Sequence, residues 1–204
     1  MRCRGSADAF GGAAHRSRRV CRQRPQPLVT LLDEVVAHLE RLGIAHALIG
    51  AAALALHGIS RSTLDQDILV TDPQVLEEEF WKTFVSTALV DRRRGDSADP
   101  LAGVVRIEQG QERAVDLIVG RSAWQADMLN RAERVLDGSR LRVVRAADLA
   151  LLKLYAGGSQ DRWDIEQLLA ADESRSLSAE VEARLPDLPA RCAALWGRLR
   201  DAES

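Results

Sequence analysis

Lysine is nearly missing from this 204-residue sequence, which has 26 arginines but only Lys82 and Lys153. Cysteine is almost as scarce. Cys3, Cys21 and Cys192 form no CxxC pair and make an odd count, which argues against a disulfide framework or a structural zinc site and points to a reducing cytoplasm. The four histidines (His15, His38, His46, His57) have no metal-ligand spacing, so any bound metal should have oxygen ligands. No apolar run approaches the roughly 18 residues of a membrane span, so no membrane partner is expected. No internal repeat is visible.

What is present begins with an uneven charge. The formal net charge is only −2, yet residues 1–27 carry seven arginines against the single acid Asp8, so the tail is basic and the body acidic. The tail has no apolar h-region and is not expected to be a secretory signal; its arginine-rich, acid-poor composition superficially resembles a transit peptide. The simpler reading is a disordered basic tail. With one aromatic and no periodicity it supports nucleic-acid binding only weakly. Apolar residues make up 46% of the chain, enough for a substantial core. Pro25 and Pro27 mark a boundary, which gives a tail over 1–27, a core over 28–145 and a helical section over 146–204.

Along the core, apolar residues at helical spacing run from Leu28 to Leu42, with Gly43 as the stop. IAHALIG reads as a strand ending at Gly50, AAALALHG as a short helix stopping at Gly58, and TLDQDILVT as a second strand. DPQVLEEEFWKTFVSTAL reads as an amphipathic helix with Asp72 as N-cap and Pro73 at its first position. DRRRGDSADPLAG reads as a polar loop, with Arg92–Arg94 solvated. VVRIEQGQERAVDLIVG reads as a hairpin turning at Gln109–Gly110. A short helix over 123–131 and a short strand pair around LDGSRLRVV follow. The last third reads as helices: one from Asp148 to the Gly157–Gly158 stop, one in QDRWDIEQLLA, and two short ones around Pro186. The pattern is α+β or mixed α/β, with a mixed sheet flanked by helices and a helical C-terminal section.

Asp65 and Asp67 are the costly feature. Residues i and i+2 of a strand share a face, so two carboxylates aim at one point, where they repel each other and raise a pKa unless a cation lies between them. Mg2+ suits such a pair. Asp116 interrupts another apolar strand, and if that strand adjoins Asp65–Asp67, three carboxylates converge and can serve two metal ions. Asp116 could instead be an edge-strand acid paired with Arg106. Upstream, Gly50 ends one strand just as a helix begins at Ala51, whose backbone N–H groups can face phosphate. Arg61 is either a salt-bridge partner of Asp65 or a phosphate ligand. Lys153, on an apolar helix in a chain that prefers arginine, hints at a need for a compact point charge. His57 reads as a satisfied helix-end histidine, with catalysis as the alternative. Trp81, Trp124, Trp163 and Trp196 read as core or interface residues.

The run GAAALALHGISRSTLDQDILV, with Asp116 and the helix carrying Lys153 behind it, resembles the nucleotidyltransferase superfamily shared with DNA polymerase β. It is most similar to the AbiEii-type enzymes, many of them toxins of toxin–antitoxin pairs. The resemblance spans roughly Leu28 to Ala171. It implies a nucleotidyltransferase fold and transfer of a nucleoside monophosphate from an NTP to an acceptor hydroxyl on an RNA end such as tRNA, a small molecule or a protein. It implies Mg2+ or Mn2+ on Asp65, Asp67 and Asp116, with Asp116 as base or base-assisting ligand. Gly50, Ala51, Arg61 and Lys153 would meet the phosphates, Thr63 belongs to the Arg-x-Thr lead-in, and Asp161 and Asp164 match a downstream acidic segment. A cognate antitoxin is an implied partner. Ala51 departs from the usual glycine or serine, and Gln160 from the usual basic residue before Asp161. These departures and the acidic body suit an alternative: a catalytically silent relative binding nucleotide, RNA or a partner protein. A third reading is an interaction module whose aspartates are structural.

Overall fold

The computed structural model describes residues 29–61, 65–97, 99–135, 139–174 and 176–202. The basic tail and Thr63 lie outside them.

The first helix, α1 (Leu31–Arg41), is defined at its start by Thr30, whose hydroxyl accepts from the Asp33 N–H while the Asp33 carboxylate accepts from the Thr30 N–H. Its apolar stripe, Leu31, Val35, Val36 and Leu39, is buried and packs on the sheet. The sheet then begins with β1 (His46–Ile49), α2 (Gly50–Leu56) and β2 (Gln66–Val70). The hairpin strands β4 (Leu101–Glu108) and β5 (Val115–Gly120) turn through Gly110, at φ +55°. After α4 (Ala123–Arg131), two short strands, β6 (Glu133–Arg134) and β7 (Arg142–Val143), finish the sheet. The rest is helical: α5 (Ala146–Ala156), α6 (Ser159–Ala171), α7 (Ser176–Glu182) and α8 (Ala190–Ala202). The last is longer than its sequence suggests.

Two expectations need correction. The helix expected over 72–89 exists only as a 3-10 turn at Pro73–Leu76 and a single turn, α3 (Glu78–Trp81). Asp72 does cap the first turn, accepting from the Gln74 N–H. The helix breaks because Glu77 is extended and the Trp81 indole donates to the Val75 carbonyl, taking the acceptor a continuous helix would use. Phe80, Trp81 and Phe84 instead gather around His38, with ring centroids 5.1–5.3 Å from its own.

The polar run from Asp91 is not a loop. Residues Leu89–Arg94 form β3, an edge strand antiparallel to β4. An edge strand needs only one partner and tolerates charge on its open side, so its backbone pairing is compatible with a loop-like composition. Arg94 and Arg92 reach back to Glu77 and Glu78, at 2.6 and 3.9 Å.

The resulting seven-stranded sheet has the order β3-β4-β5-β2-β1-β7-β6, with β2–β5 and β1–β7 parallel and the other pairs antiparallel. Its mixed topology, flanking helices and helical C-terminal section match the expected fold class. One register row runs Leu48–Ile68–Leu117–Val105, almost entirely buried. The neighbouring row, on the opposite face, runs Ile49–Asp67–Asp116–Arg106–Asp91. The central strands thus set Asp67, Asp116 and Arg106 in one row of that face, beside a fully apolar row on the other.

Candidate active site

The parallel β2–β5 ladder sets Asp67 directly opposite Asp116. Residues paired across a ladder hold their side chains on one face within contact range, so the two carboxylates are neighbours by construction. Asp65 sits one residue before β2, on the exposed approach to it. It raises the pKa of both partners through its charge.

Burial, then the charges of Asp116 and Asp65, push the Asp67 carboxyl up to about 6, against opposing pulls from Lys153 and Arg106. Burial likewise raises Asp116, although Arg106 resists. Arg106 Nη1 donates to Asp116 Oδ2 at 2.8 Å, and Arg106 Nε donates to Glu108 Oε1 at 2.7 Å. The Asp116–Arg106 pair across the hairpin therefore coexists with the convergence on Asp67. Asp116 Oδ1 is buried and has no hydrogen-bond partner among the described residues. Arg106 itself entered the sequence reading only as a counter-ion; the Arg-x-Glu alternation within VVRIE was the available signal for its place beside the carboxylates.

Gly50 packs against Asp67. It has φ +64°, and a Cβ built on it would lie 2.0 Å from Asp67 Oδ2 and 2.9 Å from Cγ. Only glycine permits both this left-handed backbone and this close approach. Ala51 follows in the first turn of α2.

A second charged group forms where α5 and α6 meet. Gly157, at φ +74°, ends α5, and the chain re-enters a helix two residues later. Asp161 accepts from the Gly158 N–H and from Lys153 Nζ, each at 3.0 Å. Asp164 is fully buried, an expensive place for a charge, and is met by two cations. Arg61 donates to its Oδ1. Lys153 Nζ lies 2.9 Å from Oδ2, but the contact is an ion pair rather than an aligned hydrogen bond. Burial works to lower the Lys153 pKa, and its contacts with the Asp164 and Asp161 carboxylates outweigh that and raise it. Arg61 thus pairs with Asp164, not with Asp65.

His57 caps the end of α2, and its Nε2 meets the Val144 carbonyl at 2.9 Å. Three tryptophans, Trp81, Trp124 and Trp196, are buried, whereas Trp163 is open to solvent.

Among the described residues, no group of three His, Cys, Asp or Glu side chains is close enough to ligate a metal together. Side by side, however, stand two carboxylates of raised pKa, an all-oxygen donor set, with the buried Asp116 Oδ1 unpartnered. That fits Mg2+, which is commonly held by one or two carboxylates and completed by water and substrate phosphate. Among the same residues, no helix is long and apolar enough to cross a membrane.

No family model matches the sequence, and no curated protein matches it. Solved structures do. The antibiotic-resistance factor ANT(2'')-Ia superposes with a TM-score of 0.52 at 14% identity, covering 85% of this chain and 97% of that one. A protein from H. pylori assigned as a nucleotidyltransferase gives 0.47 at 16% identity, covering 84% and 90%. Terminal uridylyl transferase 4 from Trypanosoma brucei, with bound GTP, gives 0.32 at 12% identity, covering 67% and 47%. At such identities the likeness to ANT(2'')-Ia speaks for fold alone. The chain has the nucleotidyltransferase fold its motifs imply, a mixed sheet flanked by helices that it shares with ANT(2'')-Ia.

Proposed function

We propose that the protein transfers a nucleoside monophosphate from an NTP to an acceptor hydroxyl, with Mg2+ or Mn2+ held by Asp65, Asp67 and Asp116. The observation that carries this reading is the Asp67–Asp116 pair, aligned by the β2–β5 register and seated against Gly50, which has no room for a side chain. A fold used only for packing gains nothing from two adjacent, partly buried carboxylates whose pKa values burial raises.

The triphosphate meets Gly50 and Ala51, with Arg61 and Lys153 on its flank. The divalent ion supplies the positive charge that offsets the carboxylates and polarises the phosphate. Arg106 holds Asp116 through Oδ2, which leaves Oδ1 to accept the proton of the acceptor hydroxyl. The raised pKa of Asp116 suits that task. The hydroxyl oxygen bonds to the α-phosphorus, the bond to the bridging oxygen breaks, and pyrophosphate leaves. The motif resemblance supports an AbiEii-type enzyme acting on an RNA end such as tRNA, a small molecule or a protein, and a toxin role with an antitoxin partner. Cysteine usage supports a cytoplasmic location.

Transfer of label from NTPs to total RNA or lysate, with Mg2+, tests the activity. Wild type should transfer label and Asp65→Ala/Asp67→Ala should not; equal transfer by both removes the catalytic assignment. A silent, nucleotide-binding relative is favoured by one observation: Lys153, proposed to meet phosphate, already faces two aspartates. Calorimetry beside the turnover assay separates the two, because tight Mg·NTP binding with no transfer to any acceptor supports the silent relative.

A further inference from the structure

An open cleft of about 550 Å³ lies between Ser60–Arg61 and the start of α6, lined by Ser60, Arg61, Ser159, Gln160 and Trp163. Trp163 is 41% exposed, while the other three tryptophans are 4–8% exposed. Indoles carry large apolar faces that proteins normally bury, so one left open within a cleft is available to a ligand. The Ser60 and Ser159 hydroxyls and the Gln160 amide make no side-chain hydrogen bond among the described residues. Both donors and acceptors are therefore free at the rim.

Among the described residues lining the cleft the one cation, Arg61, shares its charge with buried Asp164. The other four, Ser60, Ser159, Gln160 and Trp163, are neutral. A flat, neutral, hydrogen-bonding ring fits that lining. The cleft is also linked to the carboxylates, since Asp164 binds both Arg61 and Lys153, and the Lys153 charge acts on Asp67.

We propose that this cleft is the nucleobase subsite. Trp163 stacks on the base, the Gln160 amide reads its edge, and the Ser60 and Ser159 hydroxyls bond the base or the ribose. The assignment rests on the nucleotidyltransferase reading and adds to it the residues that choose among nucleotides. Stacking supplies affinity for any base, since every base has a π-face. Selectivity falls to Gln160, whose amide presents a donor and an acceptor to one edge.

The test is calorimetric binding of Mg2+ complexes of ATP, GTP, CTP, UTP and inorganic tripolyphosphate to wild type, Trp163→Ala, Trp163→Phe and Gln160→Ala. Trp163→Ala should weaken every NTP roughly tenfold and leave tripolyphosphate unchanged, while Trp163→Phe keeps most of the affinity. Gln160→Ala should shift the ranking of the four NTPs without moving tripolyphosphate. Melting curves serve as the folding control, because these exposed positions should tolerate substitution. If Trp163→Ala leaves NTP affinity intact, or weakens NTP and tripolyphosphate equally, the subsite is wrong while the transferase reading stands. Wild type that binds no NTP overturns both.

Discussion

Replacing Gly50 with alanine separates two costs that the site combines. The first is backbone strain: at φ +64° an L-residue sits in the left-handed region, at about 1–2 kcal/mol. The second is collision, because the added Cβ would fall 2.0 Å from Asp67 Oδ2, well inside contact distance. Gly43 supplies the matched control. It has φ +70° and nothing within 4 Å of an added Cβ, so Gly43→Ala carries the strain alone. We expect Gly43→Ala to lower stability by about 1 kcal/mol, or roughly 2–4 °C in Tm. Gly50→Ala should cost about 1–2 kcal/mol more, the order expected when a well-packed site is overfilled.

Moving the clash to a second background closes the argument. With Asp67→Ala, the nearest atom left to Gly50→Ala is the Cβ of residue 67, at 3.1 Å, which needs only a small adjustment. Gly50→Ala in that background should cost no more than Gly43→Ala does in wild type. The double-mutant cycle, read by urea unfolding, should then show a coupling of about 1–2 kcal/mol. If Gly50→Ala costs the same with and without the Asp67 carboxylate, Asp67 is not seated against Gly50, and the geometry carrying the proposed function is wrong. The same variant should lose transfer activity even where it remains folded, because the carboxylate must swing away from its place opposite Asp116.

Two further expectations concern charge. Asp67 has a folded pKa of about 6 against an ordinary value of 3.8, so between those values the folded chain holds the extra proton; the stability this brings is complete below about 4 and lost as pH rises through about 6. With chelator present, stability should fall across that window by on the order of 2–3 kcal/mol, and Asp67→Asn should flatten the slope. Mg2+ should reverse the trend and raise Tm more at pH 7.5 than at pH 5; an equal shift at both would show that the ion binds elsewhere. In the second group, Asp164→Ala should leave Arg61 and Lys153 facing each other over an empty, buried position, at about 3–5 kcal/mol. Asp161→Ala removes only the Gly158 cap and one partner of Lys153, so about 1 kcal/mol is expected; equal losses in the two melts would mean that Asp164 is not the centre of the network.

The parts of this molecule that could be read in advance are those whose physics is local. The i, i+2 spacing of Asp65 and Asp67 obliges a shared face, and an aspartate amid the apolar residues of β5 reveals itself by its cost. Local patterns misled where partners far along the chain decide the outcome. The run 72–89 has apolar residues at helical intervals, but Trp81 takes the Val75 carbonyl and His38, from α1, collects the aromatics. Leu89–Arg94 looks like a loop because an edge strand can be polar on both faces; β4, seven residues later, makes it a strand.

The same division runs through the site. Its carboxylates are legible because charge in an apolar strand is conspicuous, but their convergence depends on a parallel register between β2 and β5, strands separated by β3 and β4 in the chain. Arg61 shows why composition could not finish the assignment. Near Asp65 in sequence, it is a natural partner for it, yet its guanidinium goes to Asp164, 103 residues away. That exchange leaves Asp65 without its neighbour's charge and adds its repulsion to Asp67 and Asp116. Had Arg61 turned to Asp65, part of the carboxylates' demand for a cation would be met from within the chain. With Arg61 held by Asp164, Arg106 answers part of that demand at Asp116, and the divalent ion proposed above would meet the rest.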